Sequence, residues 1–90
     1  MHLLSKLWDI LLEQLDLLKI ILRCDCFDSL EAESVIDRYS CLCSLLPMLI
    51  VIAGGASYDS WIYLIRWEVL LRQLLVLLEQ EILNDLQAHE

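Results

Sequence analysis

The chain has few of the residues that tight turns require. Its 90 residues include two glycines and one proline. An all-β fold needs many such turns, so this composition argues against one. The length allows one domain, which we assign to residues 1–90. Apolar residues make up 59% of the chain, more than soluble domains usually carry, and a short chain needs such content to build a core.

Basic residues are also scarce. Six lysines and arginines stand against 14 aspartates and glutamates, which gives a net charge of −8. A nucleic-acid-binding surface is basic, so we expect no nucleic acid partner. Anionic membranes attract basic segments, so we also expect no binding to an anionic membrane. The natural complement of this charge is a basic protein surface.

The sequence leads us to expect neither a targeting segment nor a membrane span. The first residues carry Asp9 and Glu13 and have no small-residue cleavage site, so we expect no signal peptide. The run from Leu45 to Ala56 comes closest to a membrane span but is shorter than the roughly 18 residues required. Four cysteines without a secretory signal predict reduced thiols and a cytoplasmic location.

No arrangement of residues points to catalysis. Gly54-Gly55 lacks the following Lys-Ser/Thr of a phosphate-binding loop, so we interpret it as a turn. His2 and His89 lie near the two ends of the chain, and neither has a nucleophile at catalytic spacing. We therefore predict that the chain is not an enzyme, has no catalytic residues and binds no cofactor.

Apolar residues recur at helical spacing along nearly the whole chain. The periodicity predicts six helices, at residues 3–14, 16–23, 29–38, 45–53, 58–67 and 69–86. Together they would form an all-α, six-helix antiparallel bundle. No glycine or proline separates the last two, so one continuous helix is the open alternative.

Four local signals set the predicted helix boundaries. Asp28 followed by Glu31 has the form of a capping box for the third helix, whose narrow apolar face includes Ala32. A start near Leu45 places Pro47 in the first turn of the fourth helix, whereas an earlier start would place it inside the helix and kink it. Gly54-Gly55 would supply a positive φ that ends this helix. Ser57 and Asp59 would cap the next helix.

The cysteines form two C-x-C pairs, Cys24 with Cys26 and Cys41 with Cys43. Structural zinc sites usually have C-x₂-C or longer spacing, so we favour buried or idle thiols and predict no metal site. A disulfide between the two pairs would require oxidation.

The tryptophans stand at helical spacing on apolar faces, which favours core packing over a ligand pocket. Trp61 is predicted to face inward. Trp67 follows it by six residues, which leaves an outward orientation open.

Three different stretches of the chain occur in an order that is more informative than any one of them alone. They are the apolar stretch with its short loop at 16–27, the acidic stretch at 29–36, and the apolar helix, glycine turn and aromatic helix at 49–65. In this order they resemble a caspase recruitment domain (CARD) of the death-domain superfamily. The likeness is nearest to those of the apoptotic protease-activating factor and of nucleotide-oligomerisation-domain receptors. The resemblance implies a six-helix death fold that acts as an adaptor in apoptosis or innate-immune signalling.

The resemblance also implies a partner-binding surface. That family pairs an acidic surface on its second and third helices with a basic surface on the first and fourth helices of another death-fold domain. Glu31 and Glu33 match the family's acidic motif, and Asp25, Asp28 and Asp37 are neighbours that we add for their charge. Glu33 and Asp37 would share a helix face at i, i+4. The alternative is an ordinary solvated face.

Three features depart from the family pattern. Pro47 lies inside the segment that resembles the family's fourth helix. The predicted fourth helix has no charged residue, so we expect a basic partner rather than efficient self-assembly through charges. Leucines also replace expected polar residues at 69–78. Three alternatives follow: a homo-oligomer through the sixth helix, a bundle designed or selected for stability without biological activity, or a small membrane-active protein of viral type.

Overall fold

Four α-helices and one 3₁₀ helix make up the part of the chain that the computed structural model describes, residues 2–31 and 33–88. They are α1 (His2–Glu13), α2 (Leu15–Ile21), the 3₁₀ helix (Asp25–Leu30), α3 (Val35–Gly54) and α4 (Tyr58–Ala88). These described residues contain no strand. The all-α prediction is therefore confirmed, whereas the count of six helices is wrong.

The longest element is α4, with 31 residues. It contains both of the last two predicted helices, so the continuous alternative is the correct one. Nothing between Tyr58 and Ala88 breaks the helix, because the segment has no glycine or proline. Its buried residues alternate in steps of three and four: Leu64, Trp67, Leu71, Leu74 and Leu78. This spacing gives one continuous apolar stripe, so much of the leucine excess belongs to the core.

The second long element, α3, begins ten residues earlier than the predicted start at Leu45. It runs from Val35 to Gly54 and holds Pro47 in its interior. The extra turns bury Cys41 and Leu42, so side-chain packing there compensates for the backbone hydrogen bond that proline cannot donate. The exposed side of the helix carries Pro47.

The segment predicted as a helix over 29–38 divides into three parts. The 3₁₀ helix ends at Leu30, Glu31, Glu33 and Ser34 belong to neither helix, and α3 begins at Val35. Ala32 lies outside the described residues. The cap is also different from the prediction, because Ser34 accepts a hydrogen bond from the Asp37 backbone N–H at 3.4 Å. Both Asp28 and Ser34 offer an acceptor, but only Ser34 precedes a long apolar segment that can bury one face.

The first two helices match the predicted segments closely. Gln14 separates α1 from α2, one residue from the expected break. The two helices continue one buried stripe, and its members are Trp8, Leu11, Leu15, Leu18 and Leu22. Because the stripe is continuous across the break, both helices pack on the same core.

The helices lie side by side in an elongated molecule of 49 × 22 × 21 Å. α3 and α4 are antiparallel, since a short turn joins them and Tyr39 near the start of α3 bonds Glu79 near the end of α4 at 2.8 Å. α1 lies along α4, where Leu3 and Val76 line one groove. The core is entirely apolar, with no buried charged side chain among the described residues.

The turn between α3 and α4 does not use the backbone conformation that its glycines suggest. Neither glycine has a positive φ, and Gly55 lies at φ −103°. Backbone bonds from Gly55 to Ile52 and from Ala56 to Ala53 close the turn instead. The predicted positive φ is therefore wrong, because the last turn tightens with i→i−3 bonds rather than reversing its backbone.

Candidate interaction surfaces

The five residues predicted to bind a partner all lie exposed on one segment. We define the acidic surface as Asp25, Asp28, Glu31, Glu33 and Asp37. The first two share a face, because side chains three residues apart eclipse on a 3₁₀ helix. Glu31 ends this helix, and its N–H donates to the Asp28 carbonyl at 3.2 Å. The five acids are thus all exposed, but they lie on the 3₁₀ helix, in the segment after it and on α3, rather than on the single predicted helix and its preceding loop.

Two apolar side chains anchor the acidic surface to the core. Phe27 is 5% exposed, and Leu30 has no exposed surface. Both lie on the 3₁₀ helix, which packs against α3. Asp25 and Asp28 therefore stand on a fixed element although they are themselves solvated.

The predicted pairing of Glu33 with Asp37 on one helix face is wrong. Glu33 precedes the N-cap Ser34, so it does not belong to α3. Asp37 lies in the first turn of that helix, where a carboxylate interacts favourably with the helix dipole. Asp37 therefore has a local stabilising role in addition to its charge.

The charges around the acidic surface are not uniform. Within the described residues, none of the five carboxylates belongs to an ion pair, whereas Glu68 pairs with Arg72 at 3.0 Å on α4. Lys19 and Arg23 line a surface depression together with Asp25 and Asp28. The acidic surface consequently has a basic border on the side of α2.

Further acids lie near the acidic surface on the last turns of α4. Asp85 lines a depression with Val35 and Ile36 at the start of α3. The hydrogen bond from the Tyr39 hydroxyl to Glu79 raises the pKa of Tyr39 to about 12, and the neighbouring Cys43 contributes to this shift. Sequence reasoning missed this extension, because only the antiparallel packing of α3 and α4 brings residues 40 positions apart together.

The opposite end of the α3–α4 pair is apolar. We define the apolar turn end as Ile50, Val51, Tyr58 and Trp61, which are all exposed. The rings of Tyr58 and Trp61 stack with centroids 6.5 Å apart. No charged residue occurs in 39–58, and the exposed Asp59 in the first turn of α4 is the charge nearest to this turn in the sequence.

Two of the three tryptophans pack in the core as predicted, and the third is exposed. Trp61 is 43% exposed, so its predicted inward orientation is wrong. Trp67 is 3% exposed, which makes its outward alternative wrong and confirms core packing. Trp8 is also buried, as predicted, and the Arg38 guanidinium lies 5.0 Å from the centre of its ring. The first turn of α4 is solvated because its inward stripe begins only at Leu64.

Three of the four cysteines converge between the 3₁₀ helix and α3. The Cys26 sulfur lies 2.9 Å from that of Cys24 and 3.1 Å from that of Cys41. The Cys41 thiol also donates to the Cys26 carbonyl at 2.9 Å. Cys43 lies two residues further along α3 and is exposed. The two C-x-C pairs are therefore not equivalent, because both members of the first pair belong to the cluster and only Cys41 of the second pair does.

Burial controls the acidity of these thiols. Desolvation, followed by the hydrogen bonds to its two neighbours, raises the pKa of Cys26 far above its usual range. Desolvation likewise raises the pKa of Cys41. Over the described ranges, no group of three or more His, Cys, Asp or Glu residues is arranged to hold a metal ion. His89 and the side chain of His2 lie outside the described part.

The chain matches no protein-family model, no curated protein and no solved structure. The comparisons therefore neither support nor oppose the resemblance to a caspase recruitment domain.

Proposed function

We propose that this chain is a non-enzymatic interaction module that binds a basic protein partner through its acidic surface. The observation that supports the proposal is that five exposed carboxylates lie on a segment anchored by Phe27 and Leu30, and that none of the five is paired with a cation in the described part of the chain. The partner class that the sequence resemblance suggests is another death-fold domain with a basic surface. The setting that we propose is cytoplasmic signalling by adaptors, as in apoptosis or innate immunity.

Charge complementarity explains what such a surface would do. Grouped carboxylates attract a basic partner over distances comparable to the Debye length, about 10 Å at 0.1 M salt. They accelerate encounter and exclude acidic partners more than they add affinity. Binding should therefore weaken as the salt concentration rises.

The test is charge reversal at the two residues that match the family motif. We expect Glu31→Lys with Glu33→Lys to weaken binding to a basic death-fold domain at least tenfold in titration calorimetry. The matched control is Asp9→Lys with Glu13→Lys, two exposed acids of α1 that change the net charge equally. Circular dichroism checks that both variants remain helical. Equal loss in the two variants would contradict the proposal, because net charge alone would then explain binding.

A second candidate function is membrane attachment, which one observation favours. Among the described residues, α3 is long and apolar enough to cross a membrane, with a mean hydropathy of 1.8 and 22% of its most apolar window buried. A helix of this length matches the roughly 30 Å hydrocarbon core of a bilayer. Its C-terminal turns also form part of the apolar turn end.

Flotation with zwitterionic vesicles separates the two functions. An interaction module should stay at the bottom of the gradient, whereas a membrane-attached protein should float. If it floats, Val51→Glu should reduce flotation more than Val76→Glu, an equally polar change at an exposed position of α4. Equal flotation of both variants would exclude the apolar turn end as the point of contact.

Self-association through α4 is a further proposal. An apolar groove between α1 and α4 is lined by Leu3, Leu7, Val76 and Leu77. Light scattering on a sizing column distinguishes a monomer of 10.5 kDa from a dimer that persists in high salt. A monomer would leave the groove as an ordinary surface feature.

A further inference from the structure

We propose that the cysteine cluster is a site of disulfide formation, at which a low-molecular-weight disulfide oxidises Cys26 and Cys41 to a bond that links the 3₁₀ helix to α3. This inference is independent of the proposed function, since its test needs no binding partner. Cys26 contacts both other thiols, so it is the central member of the cluster.

Both neighbours of Cys26 lie within reach, and the size of the loop that each bond would close selects the pair that remains bonded. The Cys26 and Cys41 sulfurs are 3.1 Å apart, and a disulfide bond of about 2.05 Å requires them to approach by roughly 1 Å. A bond between Cys24 and Cys26 would close a very small ring within one segment. The bond to Cys41 instead joins residues 15 positions apart, and such a loop restricts the unfolded chain.

Exposure and acidity together select the order of the steps. Cys41 is 2% exposed, so an oxidant in solution cannot reach it first, whereas Cys24 and Cys26 are both partly exposed. Desolvation raises the pKa of Cys26 and disfavours its thiolate, so we assign the first attack to Cys24. The Cys24 thiolate attacks the oxidant's disulfide, forms a mixed disulfide and expels one thiol. Cys26 then attacks the Cys24 sulfur and expels the second thiol.

Finally Cys41 attacks Cys26 and releases Cys24 as a thiol. In sum, two cysteine thiols lose two protons and two electrons, and the external disulfide becomes two thiols. Burial raises the pKa of Cys26 and Cys41, so few thiolates form at neutral pH and the reaction should accelerate as pH rises.

The chain offers a direct assay, because trypsin separates the two cysteine pairs. Cleavage after Arg23, Arg38 and Arg66 yields peptides 24–38 and 39–66, and each contains one pair. The reduced full chain is incubated with oxidised glutathione and a chelator, its remaining thiols are alkylated, and the digest is analysed by mass spectrometry. We expect the two peptides to be linked covalently within a monomeric protein.

Single substitutions identify the bonded residues. Cys43→Ser should retain the linked peptides, whereas Cys26→Ser and Cys41→Ala should each reduce their rate of formation at least tenfold. Cys24→Ser should slow linkage while leaving its end point unchanged. Circular dichroism of each reduced variant establishes that it is folded. Undiminished linkage in Cys26→Ser, or linkage only between two chains through Cys43, would overturn the proposal.

A second measurement does not depend on any variant of a buried residue. The oxidised wild-type monomer should melt on the order of 10 °C higher than the reduced one, because the loop restricts the unfolded state. Cys43→Ser should show the same rise. An oxidised protein with an unchanged melting temperature would overturn the link between the two elements.

Discussion

The two ends of the α3–α4 pair differ in charge although they share one core. The acidic surface surrounds the start of α3, and further acids occupy the end of α4. The apolar turn end has exposed Ile50, Val51, Tyr58 and Trp61, and beside them the single acid Asp59 in the first turn of α4. Since the buried side chains of both helices are apolar, the difference lies in the solvated residues. A single bundle can therefore present one surface suited to proteins and another suited to apolar contacts.

The two ends also differ in the interactions that attach them to the rest of the bundle. At the acidic end, a separate 3₁₀ helix packs onto α3 through buried side chains. At the apolar turn end, backbone bonds close a short turn between the two long helices, and the side chains that define this end are exposed. Substitutions should therefore affect the acidic end mainly through packing and the apolar turn end mainly through the backbone.

The largest expected effect is loss of the anchor at the acidic end. Phe27→Ala should lower the free energy of unfolding by about 3–5 kcal/mol, because it removes a buried aromatic side chain and leaves a cavity. Urea denaturation followed by circular dichroism measures this change. Tyr58→Ala, which removes an exposed aromatic ring at the apolar turn end, should change the free energy by only about 0.5 kcal/mol. Similar losses of stability in both variants would contradict the expected difference between the two ends.

The next effect concerns the helix that joins the two ends. Pro47→Ala should raise the free energy of unfolding by about 1–2 kcal/mol, because alanine restores an N–H donor inside α3 and the side chain is exposed. Thermal melting measures the gain, with Ser44→Ala as an exposed control on the same helix. A decrease in stability would mean that the proline bend is required for packing against α4.

A smaller gain is expected at the apolar turn end. Gly54→Ala should stabilise the chain by about 0.5–1 kcal/mol, because this helical glycine has no positive φ and open space surrounds its Cβ position. Urea denaturation measures the change. A destabilised variant would show that the turn needs the conformational freedom of glycine after all.

The smallest effect is a pH dependence at the acidic end. The pKa of Tyr39 is about 12 in the folded chain, against an ordinary value near 10, so its contribution to stability is complete below pH 10 and is lost as pH rises through 12. Titration of ring-labelled tyrosines by NMR should show one group near pH 12, absent in Tyr39→Phe. Glu79→Gln should lower that pKa. An unchanged value in Glu79→Gln would remove Glu79 as the cause.

Several features of the fold follow from periodicity alone. The break at Gln14 and the stripes of α1 and α2 lie within a residue or two of the predicted ones. The start of α3 could not be obtained in this way, because Pro47 and the capping pattern at Asp28 both favoured a different boundary. The helix nevertheless begins at Val35, because the longer helix buries Cys41 and Leu42 and this packing outweighs the local signals.

The sequence by itself determined that this protein is helical, acidic and rich in core leucines, since these properties depend on composition and on spacing within one segment. It also identified five exposed acids close together in the chain. Only the tertiary structure decided that Cys26 meets Cys41, that Tyr39 bonds Glu79, and that one end is acidic while the other is apolar. These features depend on how separate helices pack, because contacts between distant residues leave no periodic signal in either segment.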